Sequence, residues 1–108
     1  MIHLTPKHEH IVRTILSEYF DGTPLSVLVF GSRAHTSPRT DSDLDLLIDT
    51  QEQVPLSTIA KLRESFEESD LPFRVDIVLR TDISPEFYQR IQGDLLPLCD
   101  FRDTVKST

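Results

Sequence analysis

Asp43 and Asp45 stand two apart in "DSDLDLLID", residues 41 to 49, a stretch that otherwise reads as an apolar strand. In a strand, residues i and i+2 point to the same face with Cα atoms roughly 6.6 Å apart, so the two carboxylates share a face. Held that close they repel each other, and a bound cation is the natural way to relieve the repulsion. Oxygen-only ligands favour Mg²⁺ or Ca²⁺. Magnesium takes one or two carboxylates and leaves its other positions to water and substrate phosphate, so a bare Asp-x-Asp pair suits it.

The elements on either side narrow the fold. Thr5-Pro6 is a helix start, and Ile11, Val12, Ile15, Leu16, Tyr19 and Phe20 recur near a spacing of 3.6 until Asp21-Gly22-Thr23-Pro24 stops them. Leu25 to Phe30 is a short apolar run expected as a strand buried on both faces, and Gly31-Ser32 breaks it. Residues 32–36 have room for one helical turn, and Ser37 to Asp41 for a loop. Leu44 to Asp49 is the second strand. Leu56, Ile59, Ala60, Leu62 and Phe66 mark an amphipathic helix ended by Ser69-Asp70-Leu71-Pro72, and a third strand is expected over Phe73 to Leu79. Ser84-Pro85-Glu86 opens a last helix for Gly93 to close, and Leu95 to Leu98 suits an edge strand tolerant of Pro97. This α/β (α+β) order implies a small mixed sheet with helices packed on one side.

The 108 residues suit a single domain spanning 1–108, with 102–108 as a polar tail. A formal charge of -7 argues against a broad nucleic-acid surface, which needs Lys and Arg to neutralise phosphates. Cys99 is alone, so neither an internal disulfide nor a cysteine-based zinc site is available. No stretch resembles a spanning helix or signal peptide, and a cytoplasmic location with no membrane partner is expected.

Two further features belong with the aspartates. Asp76 interrupts the third apolar run on the face opposite Phe73, Val75, Ile77 and Leu79. If that strand lies beside the second, its carboxylate joins Asp43 and Asp45 as a proton acceptor for an attacking hydroxyl, or as a ligand of a second metal. Gly31 allows close backbone approach, and Ser32 with nearby amides can bind phosphate oxygens. Two rival accounts of the acidic stretch are a solvated edge strand and an EF-hand loop running from Asp41 to Glu52, which lacks glycine where Leu46 stands. His8 and His10, two apart on a helix, do not face together and are expected at the surface.

The set Gly31-Ser32, ten residues, Asp43-Leu44-Asp45, then Asp76 on a later strand resembles the minimal nucleotidyltransferases of the DNA polymerase beta superfamily. The resemblance runs from Val27 to about Leu98 and includes "STIAKLRESFEESDLPFRVDIV" between the acidic strands. It is greatest to the small bacterial antitoxins encoded beside HEPN-domain toxins. The resemblance implies the polymerase-beta-like nucleotidyltransferase fold and transfer of a nucleoside monophosphate, AMP from ATP, to a hydroxyl acceptor, with Mg²⁺. In some members the acceptor is a tyrosine of the toxin. Carried over by position, it makes Asp43, Asp45 and Asp76 the catalytic and metal-binding carboxylates, with Gly31, Ser32 and Arg33 at the triphosphate. A second glycine is usual in the family near Thr36. Its absence supports a second reading, a binding subunit that neutralises its partner by stoichiometric masking.

Overall fold

The computed structural model describes residues 2, 4–31 and 43–101. Helix α1 (Pro6–Phe20) begins where the Thr5 hydroxyl accepts the His8 backbone N–H at 3.2 Å, with Pro6 in the first turn where its missing N–H is harmless. Its buried stripe is Val12, Ile15, Leu16 and Phe20, as the spacing implies. The chain leaves it through Gly22, whose φ of +84° belongs to the left-handed region.

Strand β1 (Ser26–Phe30) pairs antiparallel with β2 (Leu44–Asp49). The chain then crosses over through α2 (Leu56–Glu67) and returns as β3 (Val75–Leu79), parallel to β2. A parallel return needs such a crossover, because no hairpin can join strands running the same way. Helix α3 (Pro85–Ile91), capped by Ser84, runs into a 3₁₀ turn over Gln92–Asp94, and β4 (Leu96–Asp100) pairs antiparallel with β1. The strand order is β3-β2-β1-β4. Pro97 thus sits on an edge strand, where a missing N–H costs no ladder bond.

The core lies between one face of the sheet and helices α1 and α2. Val27 and Val29 of β1, Leu44, Leu46 and Ile48 of β2, Ile77 of β3 and Leu98 of β4 meet Leu16, Ile59, Leu62 and Phe66 of the helices. The hydroxyls of Tyr19 and Ser65, 2.6 Å apart, tie α1 to α2 above this layer. Short α3 meets the other face, its Phe87 ring standing edge-on to Phe30 at 6.1 Å.

Three local expectations shift. The third strand starts at Val75, since Arg74 gives only its carbonyl to the Leu44 N–H at 2.9 Å while Phe73 turns into the core. His8 is half-buried, edge-on to that Phe73 ring at 5.5 Å. Gly93 lies within the 3₁₀ turn, two residues beyond the end of α3. The expected helical turn at 32–36, the loop at 37–41 and the tail at 102–108 fall outside the described residues.

Candidate active site

Alternation along β2 decides what the site can be. Leu44, Leu46 and Ile48 point into the core, so Asp45 points to the opposite face. Asp45 stands across from Phe30 of β1 on one side and from Asp76 of β3 on the other. Adjacent strands lie about 4.8 Å apart, so Asp45 and Asp76 are immediate neighbours on one face. Asp43, one residue before β2 begins, adds its charge from the same end. Three sequence-expected carboxylates therefore meet at one corner of the sheet.

Two rival accounts fail here. β2 is an interior strand, bonded on both sides, so its acidic face does not serve to protect an edge. Residues 44–49 form a regular ladder with β1 and β3, which an EF-hand loop wrapped around calcium could not do.

The electrostatics match the geometry. Asp43 and Asp76 are exposed, whereas Asp45 is half-buried. Burial first, then the charges of Asp76 and Asp43, push the Asp45 carboxyl up to about 6. Near neutral pH it is ionised at a cost, and a cation held there removes that cost. Among the described residues no three acidic, His or Cys side chains form a ready-made metal cage. Magnesium does not require one: the all-oxygen pair of exposed Asp43 and half-buried Asp45 is a donor set it accepts.

Gly31 is bound to this corner sterically. Its φ is +77°, and a Cβ built on it would run into the Asp45 Oδ2. The sequence suggested that glycine here admits a phosphate; in the fold it also makes room for the carboxylate. Ser32, Arg33 and Thr36 lie outside the described residues.

A groove of about 520 Å³, unsignalled by any local pattern in the sequence, opens beside Asp43 and Asp76. It runs between the C-terminal end of α2 and the segment entering β3, and carries Arg63 and Arg74. Arg63 lies off the apolar stripe of α2 and Arg74 lies just before β3, so only the tertiary fold brings them to the carboxylates.

Comparison with known proteins bears on this corner. The family described as Polymerase beta, Nucleotidyltransferase matches residues 12–99. The chain is 38% identical over 96 residues to the Haemophilus influenzae protein named Probable protein adenylyltransferase MntA, a match spanning 89% of this chain and 82% of that one. A solved structure described as a minimal nucleotidyltransferase superposes with a TM-score of 0.64 at 30% identity, over 84% of this chain and 89% of that one. A chain from the complex of tri-AMPylated Shewanella oneidensis HEPN toxin with MNT antitoxin gives a TM-score of 0.62, over 92% of this chain and 81% of that one. Its 18% identity makes this a likeness of fold.

Proposed function

This chain belongs to the polymerase beta nucleotidyltransferase family, and we propose that it transfers AMP from ATP, with Mg²⁺, to a hydroxyl of a HEPN-domain toxin and so acts as its antitoxin. The observation that carries this reading is the register of Asp45 with Asp76 on an interior strand, with Gly31 packed against the same carboxylate.

In this reading Gly31, Ser32 and Arg33 hold the triphosphate, and Asp43 and Asp45 hold the metal. When bound, Mg²⁺ offsets the negative charge of the triphosphate and of the departing pyrophosphate. Asp76, exposed beside Asp45, takes the proton of the acceptor hydroxyl as its oxygen bonds to the α-phosphorus and the bond to pyrophosphate breaks. In the same reading Asp76 would also be a ligand of a second cation. The half-buried Asp45 fixes the centre of the site, since its strand is bonded on both sides and cannot shift alone.

ATP as substrate argues for a cytoplasmic location, and the domain works as one unit with its partner supplying the acceptor. No helix among the described residues is long and apolar enough to cross a membrane. The test is incubation with α-labelled ATP and Mg²⁺, with and without the HEPN partner, followed by intact-mass measurement of both chains. Gain of whole AMP units on the partner, absent with the Asp43→Ala/Asp45→Ala protein, is the expected result. A stable complex that protects the partner stoichiometrically, with no pyrophosphate released, would falsify transfer and establish masking.

A further inference from the structure

The groove beside the carboxylates has a definite place relative to the reaction. Gly31 meets Asp45 from the β1 side, whereas Asp76 flanks it on the β3 side. The groove opens on that second side, with Asp43 and Asp76 on its rim and Phe66 and Phe73 lining it. In-line displacement puts the attacking and leaving oxygens on opposite sides of the transferred phosphorus. With the triphosphate anchored toward Gly31, attack comes from the side of Asp76, where the groove lies. A second cavity, lined by Thr23, Thr50 and Pro55, sits at the far end of β2 and cannot serve.

The groove carries both signs of charge. Two guanidinium groups stand among the carboxylates of Asp43, Glu67 and Asp76, and among the described residues neither Arg63 nor Arg74 forms an ion pair. Arg63 donates to the Ile77 carbonyl at 3.4 Å, on the outer edge of β3. That contact takes up one of the carbonyls that a fifth strand would bind. The charge of the whole chain disfavours an RNA backbone.

We propose that this groove receives the segment of the protein acceptor that carries the modified hydroxyl, and that Arg63 and Arg74 select a carboxylate beside that hydroxyl. The inference rests on the proposed adenylyl transfer and deepens it by assigning acceptor selection to residues outside the carboxylate corner.

Steady-state transfer to the HEPN partner tests it, with calorimetric ATP binding measured in parallel. Arg74→Glu is expected to raise the acceptor KM about tenfold or more, while kcat at saturating acceptor and the ATP Kd stay within about twofold. Only the backbone carbonyl of Arg74 serves the ladder, and the milder Arg74→Ala and Arg63→Ala, each expected to raise KM in the same direction, guard against misfolding of the reversal. Replacing an acidic residue next to the modified hydroxyl by lysine is expected to rescue Arg74→Glu. Unchanged acceptor KM in all three variants, with transfer intact, overturns the groove's role alone. A raised ATP Kd with unchanged acceptor KM assigns the groove to the nucleotide and also overturns it. Absence of AMP transfer by the unaltered protein, or AMP appearing on RNA in place of the partner, removes the proposed function together with the groove's part in it.

Discussion

The two faces of β2 are built from the same six residues and answer to different demands. On one face Leu44, Leu46 and Ile48 are fully buried against α1 and α2, and every contact there favours folding. On the other, the end nearest Gly31 places Asp45 between Asp43 and Asp76, an arrangement that resists ionisation. Farther along this face Leu47 is fully buried, so the strand is anchored on both sides just beyond the carboxylate. Apolar packing around the site thus holds in place a cluster that its own charges would drive apart.

The comparison breaks most sharply if charge and activity are separated. Asp43→Asn/Asp45→Asn is expected to reduce AMP transfer by about a thousandfold or more, since in the proposed reaction these two carboxylates hold the metal. Circular dichroism should show the fold retained. On the opposite face, Leu46→Ala is expected to lose about 3 kcal/mol in urea unfolding, the cost of deleting a fully buried leucine, while the folded fraction keeps its kcat. Gly31→Ala joins the two demands: a Cβ at φ +77° strains the backbone and displaces Asp45, and transfer should fall by about a hundredfold with modest loss of stability.

The smallest effect is the most specific. Asp45 titrates near 6 in the fold against 3.8 unfolded, so its protonated form favours folding fully below about pH 4 and that contribution is lost as pH rises through 6. Because the side chain is partly exposed, solvent screening leaves about 1 kcal/mol of this effect. Asp45→Asn should therefore stabilise the metal-free protein by about that amount at pH 7.5 and by little at pH 4, measured by urea denaturation at both values. Added Mg²⁺ should raise the melting temperature of the unaltered protein at pH 7.5 and not at pH 4.5.

The elements were legible because their signals are local. Thr5-Pro6 and Ser84-Pro85 place helix starts, and the stripe Ile59, Leu62, Phe66 shows which side of α2 is buried. Strand parity likewise put Asp43 with Asp45, and Asp76 away from Ile77. Parity does not give pairing. A shift of one residue between β2 and β3 would move Asp76 to the core face, and only the non-local ladder settles that it stands opposite Asp45. The same limit hid the groove, whose walls at Arg63 and Arg74 are eleven residues apart in sequence and joined only by the return from α2 into β3. His8 is a smaller instance, since nothing beside it in the sequence announces Phe73.

The parallel pairing of β2 with β3 also orders events during synthesis. Asp43 and Asp45 leave the ribosome with a neighbouring strand, β1, already made, whereas Asp76 arrives only after all of α2 has been translated. A nascent or truncated chain ending before Val75 thus carries the aspartate pair without its third member, and without the wall of the groove that β3 supplies. In the proposed reaction, such a fragment would bind the metal without the carboxylate that takes the acceptor's proton.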